Sequence, residues 1–250
     1  MTASLQKKAP PPSLAGERIF VALDTTELGR AKSIAHTLTG HVGGIKIGLE
    51  FFNANGPQGL RDVTFGQLPF FLDLKFHDIP NTVAGAIRAV APLAPFMLNV
   101  HGLGGPEMLR AASETASTAA NEAGVARPLV LAVTVLTSFD ENDIAVTGQG
   151  HSVEEQAVRL ARLAQNCGLD GVVCSPLVVN AIRKTCGPDF TLVVPGIRPA
   201  GVAMNDQKSV ATPAKAIAAG ASYLVIGRAI TGAADPLTAV HEIAAEIEAS

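Results

Sequence analysis

The chain has no tryptophan and one tyrosine, and aromatic residues fill only 4% of its 250 positions. Its core must therefore be assembled from Ala, Val, Leu and Ile, which suits short parallel strands buried on both faces by flanking helices. Charged residues are also scarce, at 16% against 48% hydrophobic residues, and the formal net charge is −3. That balance lacks the basic excess of a nucleic-acid-binding surface. No apolar run reaches the roughly 18–20 residues that a membrane-crossing helix needs. Three cysteines occur, Cys167, Cys174 and Cys186. An odd number without a Cys-x-x-Cys pair argues against a disulfide framework and points to a reducing, cytoplasmic setting. Met1 to Pro12 combine Lys7 and Lys8 with Pro10-Pro11-Pro12 and have no apolar stretch. Residues 1–16 therefore read as a disordered tail rather than a signal peptide.

What the chain does have is alternation. Short runs rich in Val, Ile, Leu and Phe predict strands at Ile19–Leu23, Gly44–Ile47, Phe70–Leu74, Phe96–Val100, Val130–Val135, Gly171–Cys174, Thr191–Val194 and Tyr223–Ile226. Helical periodicity follows most of them, at Glu27–Leu38, Val83–Pro92, Pro106–Ala120, Val153–Asn166, Val178–Lys184, Pro213–Ala219 and Pro236–Glu248. In Val153–Asn166, for example, Val153, Ala157, Leu160, Ala161 and Ala164 share one face, opposite Glu154, Glu155, Arg159 and Arg162. The segment after the second strand has the weakest pattern. Eight strand-helix units in a chain of this length predict a single-domain (β/α)₈ TIM barrel over residues 17–250. An open doubly wound sheet is the alternative, but it usually carries Gly-x-Gly-x-x-Gly after its first strand. Here that turn reads Asp24-Thr25-Thr26-Glu27.

Such a barrel assembles its site at the C-terminal ends of its strands, and those ends are polar. They include Asp24, Lys46, Asp73 with Lys75, Asn99-Val100-His101, Thr137-Ser138, Pro195-Gly196-Ile197-Arg198 and Gly227-Arg228. Strand alternation turns Asp73 and Lys75 to the same side, with Asp78 three residues beyond. A lone Asp-x-Lys is as readily a structural ion pair, and Thr137 or Ser138 alone reads as a helix cap. Seven polar endings together point instead to a catalytic mouth. Gly227-Arg228 after the last strand suits a phosphate group, because glycine permits close backbone approach and arginine offers a bidentate fork. Carboxylates beside Lys75 favour its ammonium form, so it is suited to donating a proton or stabilising negative charge rather than to attacking a carbonyl. Asp24, Asp73 and Asp78 could hold Mg²⁺, but Lys46 and Lys75 already supply compensating charge. His77 and His101 lack zinc-ligand spacing and read as packing or hydrogen-bonding residues. The expected site has no metal and no cofactor.

These motifs resemble the orotidine 5′-phosphate decarboxylases. The strongest is Phe71-Leu72-Asp73-Leu74-Lys75-Phe76-His77-Asp78-Ile79-Pro80-Asn81-Thr82, which carries that family's Asp-x-Lys-x-x-Asp signature. Val21-Ala22-Leu23-Asp24, Val133-Thr134-Val135-Leu136-Thr137-Ser138, Asp170-Gly171-Val172-Val173-Cys174-Ser175, Val194-Pro195-Gly196-Ile197-Arg198 and Ile226-Gly227-Arg228 agree in order and spacing. The resemblance spans nearly all of Ile19 to Ile247. It implies a charge network of Lys46, Asp73, Lys75 and Asp78 at C6 of the pyrimidine of orotidine 5′-phosphate, with Lys75 as proton donor. It further implies that Asp24 binds ribose hydroxyls and that Thr137 and Ser138 face the substrate. Gln207, Gly227 and Arg228 would hold the phosphate, and Arg198 would start a covering loop. A homodimer is also implied, in which Asp78 and Thr82 reach the partner's site. Two rival readings remain from the sequence. One is a Mg²⁺-dependent keto-hexulose-phosphate decarboxylase or synthase with the same strand signature. The other is a catalytically silent nucleotide-binding protein.

Overall fold

The computed structural model describes residues 14–64, 68–199 and 211–249. Along the chain come β1 (Ile19–Ala22), α1 (Leu28–Leu38), β2 (Gly44–Gly48), α2 (Leu49–Thr64), β3 (Phe70–Phe76), α3 (Pro80–Val90), β4 (Met97–His101), α4 (Gly105–Ala123), β5 (Leu129–Val133), α5 (Glu141–Val146), α6 (Val153–Asn166), β6 (Gly171–Val173), α7 (Val179–Cys186), β7 (Thr191–Val194), α8 (Pro213–Ala218), β8 (Tyr223–Ile226), α9 (Arg228–Thr231) and α10 (Pro236–Glu248). The strands pair in chain order into a closed barrel, and β8 returns to β1 in parallel. The expected (β/α)₈ architecture is thus the observed one. No helix among the described residues is long and apolar enough to cross a membrane. Residues 1–13 of the expected tail, Gln207 and most of the covering loop expected to start at Arg198 lie outside the described residues.

Local chemistry accounts for the helix boundaries. Ser152 accepts from the amide of Glu155, whose side chain returns to Ser152, so α6 opens on a reciprocal capping box. Asp235 caps α10, and Pro236 occupies its first turn, where a missing N–H costs nothing. The weak periodicity after the second strand has a physical cause. α2 breaks at Gly56 (φ 61°, ψ −166°), followed by Pro57, so its two halves do not share one face. The short helices α5 and α9 were not legible in the sequence, being 6 and 4 residues long.

Two cores follow from strand alternation. Ile19, Val21, Ile45, Ile47, Leu72 and Leu98 face outward and pack with the helices. Phe20, Ala22, Phe71, Met97, Leu131 and Val225 face inward and fill the barrel. Three aromatics cluster at its floor. Phe20 stacks on Phe96 with centroids 5.8 Å apart, and Tyr223 meets Phe20 edge-on at 5.5 Å. Burying a ring such as Phe20 contributes about 1.5–3 kcal/mol. The packing leaves no room for a side chain at residue 44, where a Cβ would lie 2.7 Å from Phe20 Cε1 and 2.3 Å from the Pro69 carbonyl oxygen.

Charges away from the mouth are tied to the backbone. Asp170, ahead of β6, accepts from Arg127 Nη1 and from the Val130 amide, each at 2.7 Å. Arg183 on α7 donates to the carbonyls of Gly187, Phe190 and Gly220. These contacts satisfy buried peptide groups and join neighbouring units of the barrel.

Candidate active site

The inward faces of the strands change from apolar to charged as they rise. Above Phe20 and Ala22 on β1 stands Asp24, β2 contributes Lys46, and above Phe71 on β3 stands Asp73. Lys46 Nζ lies 3.0 Å from Asp24 Oδ1 and 3.4 Å from Asp73 Oδ2. Lys75 Nζ approaches the other oxygen of the same carboxylate, Asp73 Oδ1, at 2.8 Å. The order Asp24, Lys46, Asp73, Lys75 therefore alternates in sign across three strands. Lys46 and Asp73 are largely buried, with side chains 11% and 12% exposed, so water screens their attraction poorly.

The balance of burial against pairing sets the protonation states. Burial opposes charge on Lys46, but the carboxylates of Asp73 and Asp24 outweigh it and hold the ammonium above the ordinary lysine pKa. Burial likewise pushes the Asp73 carboxyl up. Lys46 and Lys75, with hydrogen bonds from Lys75 and Asn99, reverse this and hold it below the ordinary value. By linkage, the contribution of Asp73 to stability is present above its unfolded pKa of about 3.9 and lost as pH falls through the lower folded value. That of Lys46 is present below about pH 10.4 and lost as pH rises through its higher folded value. Lys46 and Asp73 therefore keep their charges throughout the neutral range.

A cavity of about 440 Å³ opens over these groups, within the size range of small-ligand sites. Asp24, Lys46, Asp73 and Lys75 line it together with Thr137, Arg198, Gly227 and Arg228. Arg198 is buried and donates from Nη1 to the Ile197 carbonyl at 3.1 Å. Its amide donates to the Ala211 carbonyl at 3.0 Å, so the chain on either side of residues 200–210 is pinned together. Ser138, Asp78 and Thr82 are exposed and stand outside the cavity lining of this chain. Asp78 Oδ1 accepts from the following amide, Ile79, at 2.7 Å. Gln207 lies outside the described residues.

Sequence reasoning placed Asn99 at a polar strand end without giving it a role, and passed over Gly48. Asn99 is fully buried on β4 and contacts both Asp73 and Lys75. Its signal was a single amide side chain within the apolar run Met97-Leu98-Asn99-Val100. Gly48 ends β2 beneath the first ion pair, where a Cβ would lie 2.9 Å from Lys46 Nζ. Any side chain there would displace the ammonium, a close approach that spacing alone does not reveal. His77 and His101 stack with centroids 5.0 Å apart at 13°. Burial, then His77 and Lys75, lower the His101 pKa, and His101 Nδ1 accepts from the Leu103 amide.

An eight-stranded parallel barrel with an alternating lysine–aspartate network and two arginines lining one cavity at its C-terminal mouth defines a (β/α)₈-barrel enzyme site. The chain belongs to the orotidine 5′-phosphate decarboxylase / HUMPS family, whose model matches residues 17–243. It is 55% identical over 230 residues to the orotidine 5′-phosphate decarboxylase of Rhodospirillum rubrum, covering 92% of this chain and 93% of that one. It is 50% identical over 235 residues to the enzyme of the same name from Moorella thermoacetica, covering 94% and 93%. Among solved structures it is similar to orotidine 5′-phosphate decarboxylase from Lactobacillus acidophilus, with a TM-score of 0.80 and 38% identity over 92% of this chain and 98% of that one.

Proposed function

We propose that the chain decarboxylates orotidine 5′-phosphate to UMP and CO₂ in cytoplasmic pyrimidine synthesis, without a metal or cofactor. The observation that carries the reading is Asp73 held between Lys46 at 3.4 Å and Lys75 at 2.8 Å inside the cavity. Cleavage of the C6–carboxylate bond leaves an electron pair on C6 with no adjacent π-acceptor. Stabilisation must then come from a fixed cation where the charge develops, in a site closed to water. Lys75 supplies that cation and delivers a proton from Nζ to C6, while Asp73 stands near the departing carboxylate. Asp24 binds the ribose hydroxyls, and Thr137 and Ser138 face the pyrimidine. Gly227 and Arg228 hold the phosphate, together with Gln207, which lies outside the described residues. Loss of orotidine 5′-phosphate absorbance on adding the purified chain tests the activity directly, and an unchanged spectrum refutes it.

Lys46 and Lys75 already bridge the carboxylates of Asp24 and Asp73, so no divalent cation is needed to hold them together. Activity is expected to survive exhaustive EDTA treatment unchanged. Loss on chelation with recovery on adding Mg²⁺ would instead support keto-hexulose-phosphate chemistry.

The exposed position of Asp78 and Thr82 on this chain supports a role for them in a partner's site across a two-fold interface. An inactive Asp78→Ala chain mixed with an inactive Lys75→Ala chain is then expected to regain activity. About half of randomly exchanged dimers are mixed, and one of the two sites in each is intact, so recovery approaches roughly a quarter of wild type. No recovery after verified subunit exchange would assign Asp78 to its own chain.

A further inference from the structure

We infer that Asn99 is a positioning residue, which sets the orientation of both Asp73 and Lys75 for the proton transfer. The inference rests on the decarboxylase reading of this site. β3 and β4 are in register at Phe71↔Met97 and Leu72↔Leu98, and the next pair is Phe76↔Val100. Between these pairs β3 spends Asp73, Leu74 and Lys75 where β4 spends Asn99 alone. The surplus is absorbed in a bulge, in which Lys75 takes a left-handed backbone (φ 51°) that a side chain disfavours. A bulged residue loses its regular ladder partner. Here the lost partner is replaced by a side chain, because the Lys75 amide donates to Asn99 Oδ1 at 2.8 Å. The other end of the same amide, Nδ2, donates to Asp73 Oδ1 at 2.7 Å.

One fully buried amide group thus holds the strained backbone of the proton donor and fixes the carboxylate facing it. Asp73 Oδ1 receives Lys75 Nζ and Asn99 Nδ2, and this leaves Oδ2 toward Lys46. The group must be neutral and must both donate and accept. A carboxylate of the same shape would set a second negative charge against Asp73. An apolar residue would leave the Lys75 amide without its acceptor inside the barrel wall.

The test compares Asn99→Ala with the near-isosteric Asn99→Asp in the purified full chain, measured beside the wild type. For Asn99→Ala, kcat for orotidine 5′-phosphate is expected to fall about 10- to 100-fold, the worth of a hydrogen bond to a charged group. KM and UMP binding should change little, since Asn99 is absent from the cavity lining. The groups facing Asp73 are Lys46 from β2, itself paired with Asp24, and Lys75 and Asn99. Removing the Asn99 hydrogen bond takes away one cause that lowers the Asp73 pKa, so the acid limb of the kcat–pH profile should move to higher pH. Asn99→Asp, which preserves packing, should lose at least as much activity at neutral pH. The inference is overturned if either variant keeps wild-type kcat, or if Asn99→Ala only lowers the melting temperature while kcat and the acid limb stay in place. A wild type inactive on orotidine 5′-phosphate in the same assay would refute the decarboxylase reading itself.

Discussion

Lys75→Ala is expected to abolish decarboxylation while UMP binding remains measurable. Two losses coincide in that substitution. Removal of a general acid costs about 10²- to 10⁴-fold. Removal of the cation that faces developing negative charge adds a loss of about 10²- to 10³-fold, the scale seen when a single stabilising donor is deleted from an active site. The site should otherwise remain assembled. Asp73 keeps Lys46 at 3.4 Å and Asn99 at 2.7 Å, and the bulge keeps its bond from residue 75 because that bond uses the main chain. Binding therefore survives and the chemical step does not. The measurements are single-turnover decarboxylation and UMP titration on the same preparation. Turnover near wild type would remove Lys75 from the mechanism. Loss of binding in parallel with turnover would mean that the lysine holds the nucleotide rather than driving its reaction.

The barrel and the charged part of this site were legible in the sequence for the same reason. Strand and helix patterns alternate along the chain, and a barrel of such units gathers its strand ends at one mouth, so Asp24, Lys46 and Asp73 could be assigned to the site from their places at strand ends. Side-chain alternation also placed Asp73 and Lys75 on one side, and their 2.8 Å contact agrees with that expectation. The route to that contact was not legible. A regular strand would carry Lys75 onward and away, whereas the structure turns it back through a left-handed residue that no composition rule assigns to lysine. The role of Asn99, read from the sequence only as a polar strand ending, was hidden for a related reason, since its partners lie 26 and 24 residues away and are chosen by the register shift between β3 and β4. Gly48 shows a third limit. Its requirement for hydrogen in place of a side chain comes from the ammonium of Lys46, two residues earlier on the same strand, and appears only when that side chain is in place.

Orotidine lacking its phosphate is expected to react with a much lower kcat/KM than the nucleotide, and Arg228→Ala is expected to impose the same defect on the nucleotide. Gly227 and Arg228 line the cavity that holds Lys75, and Arg198 lines it beside the pinned ends of residues 200–210. A phosphate dianion bound by Gly227 and Arg228 would close this part of the cavity to water. Exclusion of water then strengthens the attraction between Lys75 and the charge forming at C6. Binding energy from a group that does not react is in this way expressed in the chemical step. An arginine fork makes two charge-assisted hydrogen bonds at about 1.5–3 kcal/mol each, so Arg228→Ala should cost about 10²- to 10⁴-fold in kcat/KM. The decisive comparison crosses the two changes. If Arg228 acts through the phosphate, Arg228→Ala should scarcely alter the turnover of phosphate-free orotidine, because the interaction it removes is already absent. Equal damage to both substrates would show that Arg228 supports the fold at the end of β8, and the phosphate would have to be held by other groups.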